Sequence, residues 1–490
     1  MLKKCKSSPF SGDISPTRIP LFAFGSDRAS LPFPHPWNYK QPIKILESYF
    51  WKSKNEIDSD KHNRYLKIIG FPPVFVTRDP QVIQSIAMNT GDKEGQFDRD
   101  TLPSEGIARA TGKDSLLYSN GAVWKRQKKL SSSPFRKSTL FQPEQFQEFS
   151  ETFRITVAKR LQAFENRQKI TGSVVQVPLE LEIKAVMLEL LTNCFFGTDI
   201  SNDDIWDRYV PALECVIDHI VSDTVINKVG ISIFKVPSFT SKISKVKASY
   251  KIFEELTDLV LATRQEENGL WKQFKSDVSN DAIRSNIKVF IAGALEATTS
   301  YASWVISHLA RNPFQQEQVY NEVKSIDDYT PENLKNASKL GNVLNETLRL
   351  TPSLYFLPRK ATVDTTIKTN DGRKMVIPKG THILLDVWHA NRHEDNWGVA
   401  KTGYPANIFE PERWDVIKTK YKEGEEPLHF GFGYGPRVCP GKNLGQMEVA
   451  LVVGAFVKLF KFKAVNTENL ETAGVSTKPK DGVFVQLELR

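Results

Sequence analysis

Cys439 lies in the stretch Phe430-Gly431-Phe432-Gly433-Tyr434-Gly435-Pro436-Arg437-Val438-Cys439-Pro440-Gly441, where four glycines and two prolines surround a single thiol. A backbone so composed makes turns that ordinary residues resist, and a turn of this kind aims one sulfur. Amide N–H groups and the N-terminus of a following helix can hold that sulfur as a thiolate, the form that ligates a metal. Arg437, two residues earlier, supplies a cation for an anionic group beside the same site. Phe432 can pack on an aromatic plane. A lone cysteine before an apolar helix would ordinarily read as a buried core thiol, but that reading leaves Phe432, Gly435, Arg437 and Gly441 unexplained.

The elements that must position this loop are visible on either side of it. Leu444 to Phe460 follows as an apolar helical pattern. Asp281 to Asn312 is the longest helical pattern, free of proline until Pro313, and would span roughly 45 Å. In its middle, Ile291-Ala292-Gly293-Ala294-Leu295-Glu296-Ala297-Thr298-Thr299 combines small residues with an acid and hydroxyls, so a flat ligand could approach the backbone there. Glu346 and Arg349 share a helix face at i, i+3, where an exposed pair alone would add only a few tenths of a kcal/mol. Pro411-Glu412-Arg413-Trp414 offers a further arginine.

Phe432, Gly435, Arg437, Cys439 and Gly441 together resemble the haem-ligand loop of the cytochrome P450 family, Phe-x-x-Gly-x-Arg-x-Cys-x-Gly, with every fixed position matched. The resemblance extends over roughly residues 60 to 490 in correct order. It implies a mainly α fold with a smaller β region (α+β), one large helix-rich domain around a buried haem b, iron protoporphyrin IX. Cys439 would be the axial ligand of the iron, with Phe432, Gly433, Arg437 and Gly441 in the cofactor cradle. Arg359 resembles the strand arginine that meets a haem propionate. Where the family carries Trp-x-x-x-Arg for the same purpose, this chain has Trp124 and Lys128; a lysine meets a carboxylate as a point charge without the bidentate fork. Arg126, two residues displaced, would face elsewhere on a helix. Glu346, Arg349 and Arg413 resemble the family's buried structural trio supporting the cysteine loop, since buried charges need such a network.

The central helix departs from the family's Ala/Gly-Gly-x-Asp/Glu-Thr-Thr. With Glu296 in the acid position, Ala297 stands where the threonine hydroxyl belongs; with Thr298 aligned, Ala297 replaces the acid. Glu296 and Thr298 are the candidate proton-handling residues; alternatively they are polar groups facing a neighbouring helix. The implied activity is monooxygenation of an apolar lipid, steroid, terpenoid or aromatic by O2. No Rossmann or flavin fingerprint occurs, so electrons come from a separate flavoprotein reductase or ferredoxin, with Lys128, Lys129 and Lys442 on the receiving face. Ala297 motivates two alternatives: a peroxide-using peroxygenase, isomerase or dehydratase, and a non-catalytic haem-binding protein.

The rest of the chain is consistent with a soluble globule: 40% hydrophobic and 25% charged residues, without linker or repeat. A net charge of +9 favours an acidic partner or anionic membrane and does not require nucleic acid. Four scattered cysteines without CxxC exclude a disulfide framework and a cysteine zinc site. Residues 1–60 read as an extended, basic, proline-rich leader before a haem domain over 61–490. No apolar run of membrane-spanning length occurs within 1–39, which points to a monomeric cytoplasmic protein or to one at the endoplasmic reticulum surface after removal of an anchor. Val225 to Phe239, followed by Lys242, Lys245, Lys247 and Lys251, fits a membrane-dipping segment, a cap on an apolar channel, or an ordinary packed helix pair.

Further elements expected are a hairpin over 65–77, a helix opened by Asp79-Pro80, a loop over 97–118, a helix from Gly121, and a hairpin over 365–377. A final hairpin is expected to turn at Lys478-Pro479-Lys480-Asp481-Gly482. His389 and His393 sit at i, i+4 but lack a nearby third metal ligand, and read as surface residues.

Overall fold

The computed structural model describes residues 43, 47, 51, 62–66, 73–91, 96–102, 105–171, 175–227, 230–263, 269, 271, 280–326, 329–465, 471–479 and 482–490. The leader expected over 1–60 lies outside the described residues apart from 43, 47 and 51, as do Lys67 to Gly70 of the first hairpin and Lys480 and Asp481.

Strands run β1 Asn63–Leu66, β2 Val74–Thr77, β3 Phe97–Arg99, β4 Val175–Pro178, β5 Leu357–Ala361, β6 Thr365–Lys368, β7 Lys374–Ile377, β8 His382–Leu385, β9 Phe460–Ala464, β10 Glu471–Ala473, β11 Thr477–Pro479 and β12 Phe484–Leu489. The principal helices are α1 Pro80–Met88, α2 Glu105–Thr111, α3 Gly121–Ser131, α4 Pro143–Thr171, α5 Leu179–Leu190, α6 Val210–Ile226, α7 Ser241–Thr263, α8 Asn280–Arg311, α9 Pro313–Val323, α10 Ser338–Leu350, α11 Arg413–Lys420 and α12 Lys442–Leu459.

Local chemistry explains many boundaries. Asp79 accepts the N–H groups of Gln81 and Val82, and Pro80 needs no partner at the first helical position, so α1 begins there and buries Val82, Ile83 and Ile86. Thr330 caps the short helix Pro331–Asn336 in the same way. α8 passes the length and hydropathy of a membrane span, yet 72% of its apolar window is buried, because α5, α10 and α12 pack round it. One apolar core fills this helical region; a second lies under the five-stranded sheet β1-β2-β8-β5-β3 and includes Phe75, Ile83, Phe97, Ile383 and Phe430. Phe430 thus anchors the start of the cysteine loop in the sheet core.

Three expectations are corrected. Residues 97–118 are not all loop: β3 pairs antiparallel with β5, and α2 packs on α6. The turn at 478–482 does not close a hairpin; β11 pairs back to β10, whereas β12 lies between β4 and β9. Of the stretch expected over 225–239, residues 225–226 end α6, which packs on α7, while 231–239 form no packed helix: Ile231, Phe234 and Phe239 are 51%, 52% and 73% exposed.

Candidate active site

The cysteine loop is built from short backbone bonds. Gly433 N–H donates to Phe430 O at 2.9 Å, Cys439 N–H to Phe432 O at 2.9 Å and Gly445 N–H to Gly441 O at 2.8 Å. Gly433 and Gly435 adopt φ of +75° and +71°, where a side chain is strained. A Cβ on Gly435 would also lie 2.5 Å from the Ala87 carbonyl oxygen at the end of α1, so glycine is required twice over. Cys439 is exposed by area, yet protein surrounds it closely enough that desolvation pushes its thiol up, partly offset by the Gly441 N–H and Lys442. Both hold for a sulfur that is open on one side and crowded by protein on the others. Such a thiol gives up its proton to a bound cation rather than to water.

Beneath this loop lies the expected trio. Glu346, Arg349 and Arg413 are fully buried, with Arg349 Nη2 2.7 Å and Arg413 Nε 3.1 Å from Glu346 Oε1. Burial alone would raise the Glu346 carboxyl, but Arg349 and Arg413 outweigh it and hold it low. Arg349 also donates to the carbonyls of Asn391 and Ala406, and Trp414 Nε1 donates to Glu346. A Cβ on Gly431 would meet His429 at 2.7 Å and Leu348 Cβ at 3.0 Å, so α10 is in close register with the loop.

On the sheet side three guanidiniums gather. Arg359 is 1% exposed, donating to Thr90 Oγ1 at 3.1 Å and Pro358 O at 2.8 Å. Arg437 lies 4.0 Å over the Trp124 ring and donates to Ser119 O and Asn120 Oδ1 at 2.7 Å, leaving its buried Nε without an acceptor. Arg99, which sequence reasoning missed, stands directly opposite Arg359 across the β3–β5 ladder, its buried Nε likewise without an acceptor. Among the described residues none of the three forms an ion pair. Burial, then Arg99 and Arg437, push Arg359 well down; burial, then Arg99, push Arg437 to about 9, with Asp98 opposing. Like charges facing across a ladder are unfavourable unless an anion joins them. A ligand bearing carboxylates fits these orphaned donors, so the residues present fit haem.

Lys128 does not join this cluster. Its ammonium donates to Pro436 O at 2.7 Å and lies 5.0 Å from the Trp124 ring, bracing the cysteine loop from outside. Lys128 is exposed, whereas Arg99 brings a third buried guanidinium beside Arg359 and Arg437.

The α8 face next to the loop is open. A Cβ on Gly293 would meet nothing within 4 Å; Gly293 is exposed although it sits mid-helix, and the half-buried Ala294, Ala297 and Thr298 continue the same face. Thr298 Oγ1 donates to Ala294 O at 2.7 Å, its methyl lies 3.7 Å from a Cβ built on Gly445, and Tyr301 packs edge-on to Phe432. Glu296 does not share this face. It is buried 2.5 Å from Lys184 Nζ and 3.3 Å from Ser476 Oγ, and Lys184 also contacts Glu214. Burial would raise the Glu296 carboxyl, but Lys184 and Lys478 hold it low. Its expected role beside Thr298 is therefore corrected: the carboxylate is locked in an ion pair between helices. A separate cavity of about 440 Å³ near the N-terminal turns of α8, bordered by Arg109, Asp223, Phe234, Tyr250 and Lys288, includes neither Cys439 nor Thr298.

Comparison with known proteins gives a consistent picture. The family model described as Cytochrome P450 matches residues 32–485. "Probable cytochrome P450 313a3" of Drosophila melanogaster is 23% identical over 450 residues, 85% of this chain and 84% of its own length. Cytokinin hydroxylase of Arabidopsis thaliana is 24% identical, covering 87% and 80%. The mitochondrial 1,25-dihydroxyvitamin D(3) 24-hydroxylase of Mus musculus is 30% identical over 182 residues, 36% of this chain and 33% of its own.

Proposed function

Because this chain belongs to the cytochrome P450 family of haem-thiolate monooxygenases, we propose that it inserts one atom of O2 into an apolar organic substrate with electrons from a separate reductase. The observation that carries this reading is the open, small-residue face of α8 beside the cysteine loop, whose Cys439 is accessible. Haem, when bound, supplies the iron centre at which O2 is reduced. The protein holds and shapes. Cys439 would ligate the iron, Arg99, Arg359 and Arg437 would take the propionates, and Phe432 and Gly433 would line the proximal side. Gly293, Ala294 and Ala297 leave room for an apolar substrate without offering it a hydrogen bond. Thr298 Oγ1, its proton donated to Ala294 O, would accept a hydrogen bond on the reacting side, and solvent protons would arrive through water rather than through Glu296.

The locked Glu296 also favours a second reading, use of a hydroperoxide, which brings both oxygen atoms and its own protons. Turnover that requires NADPH together with a reductase supports the first reading; equal turnover with peroxide alone overturns it. Exposed Ile231, Phe234 and Phe239, with Lys235 and Lys242 close in sequence, further support peripheral contact with an anionic membrane surface.

A further inference from the structure

The sequence pairs His389 with His393 at helical spacing, but the structure separates them. His389 Nδ1 bonds Asp386 at 2.7 Å, whereas the His393 ring meets His62, 331 positions earlier, with ring centroids 4.4 Å apart at 69°. Asp395 completes the group: His62 Nε2 lies 3.3 Å and His393 Nδ1 3.7 Å from Asp395 Oδ2. One donor atom from each of the three lies within 4.8 Å of the others.

These separations suit a metal ion. Four ligands at about 2.0–2.1 Å in a tetrahedron stand about 3.3–3.4 Å apart, near the 3.3 and 3.7 Å that separate Asp395 from the two histidines, with all three atoms within 4.8 Å. Two imidazoles and one carboxylate form a set favoured by zinc and its borderline neighbours. The backbone beneath is fixed: Arg78 N–H donates to His62 O at 2.9 Å at the end of β2, and Trp397 N–H donates to His393 O at 2.8 Å. His393 Nδ1 accepts the Asp395 N–H at 3.2 Å, a bond that ligation through this nitrogen would replace. Asp395 is 63% exposed and leaves an approach from solvent. Arg78, whose charge is felt by Asp395, weakens the site relative to a buried one.

We propose that His62, His393 and Asp395 form a surface site for one Zn2+-like divalent cation, distinct from the haem centre, which ties the start of β1 to the segment after β8. The test uses the full-length holoprotein without a polyhistidine tag, stripped with chelator and dialysed against Zn2+. The expected result is one zinc per chain at micromolar free metal, lost on His393→Ala and weakened at least tenfold by Asp395→Asn. Zn2+ should also raise the thermal midpoint of the wild type reversibly on addition of EDTA, and leave His393→Ala unmoved, which decides the matter even if His62→Ala disturbs β1. Zinc binding that survives His393→Ala, or no binding below millimolar zinc, overturns the proposal.

Discussion

Lys184→Met isolates the ion pair that locks Glu296. Lys184 is 1% exposed and lies between Glu296 and Glu214, and Glu296 is itself 5% exposed. Removing one partner of a buried pair costs about 3–5 kcal/mol, because the remaining charge is left desolvated. Unfolding entropy of about 2 cal/mol/K per residue gives about 1 kcal/mol/K for a chain of 490 residues, so the thermal midpoint should fall by about 3–5 °C. The pH dependence supplies the sign. In the wild type the Glu296 carboxyl is held low, so its stabilisation is present above the unfolded carboxylate value and is lost only as pH falls through the folded one. In Lys184→Met only the more distant Lys478 and the Ser476 hydroxyl still oppose burial, and the carboxyl should move above its unfolded value. The variant then loses stability as pH rises, so its deficit should be small near pH 5 and full near pH 8. Lys184→Met combined with Glu296→Leu should recover most of the loss, since apolar replacement of a whole pair is often neutral or better. Thermal melts at both pH values provide the assay. A drop below about 1 °C, or one equal at the two pH values, would refute the coupling.

Arg99→Leu should speed haem loss to a scavenging apoglobin about tenfold or more, the equivalent of one charge-assisted hydrogen bond of at least ~1.5 kcal/mol; an unchanged rate would remove Arg99 from the cofactor site. Thr298→Ala should lower the fraction of NADPH recovered as oxidised product, whereas Glu296→Gln should leave that fraction near wild type and lower the thermal midpoint; the opposite pattern would restore Glu296 to the reaction. Serine at both Phe234 and Phe239 should reduce binding to vesicles containing anionic lipid at least tenfold, given about 1.5–3 kcal/mol per fully buried apolar side chain, and equal binding would exclude this segment as the contact.

What was legible in the sequence was local chemistry. The cysteine loop, the Asp79-Pro80 helix start and the Glu346/Arg349 spacing each lie within a dozen residues, and glycine, proline or a paired charge marks them. What failed was non-local. Arg99 sits on a three-residue strand whose meaning comes from pairing with β5, far along the chain. Lys184 lies among apolar residues of α5 and meets Glu296 112 positions later, so nothing near Glu296 announced that its charge was already answered. The turn at 478–482 was visible as glycine and proline, but a turn does not say which strand its arms will pair with.

The buried charges fall into two physical kinds. Glu346 with its two arginines, and Lys184 with its two glutamates, are closed networks in which each ion faces an opposite charge within the protein. Such networks have little to gain from a ligand, and they fix helices to one another. Arg99, Arg359 and Arg437 form an open group of like charges held together, with the buried Nε atoms of Arg99 and Arg437 unanswered among the described residues. Repulsion within that group opposes folding, and an anionic cofactor that relieves it binds the folded chain in preference to the unfolded one. Cofactor affinity and fold stability are then linked through these three residues: the same desolvation that makes the cluster unfavourable by itself strengthens each charge-assisted bond it makes to a carboxylate.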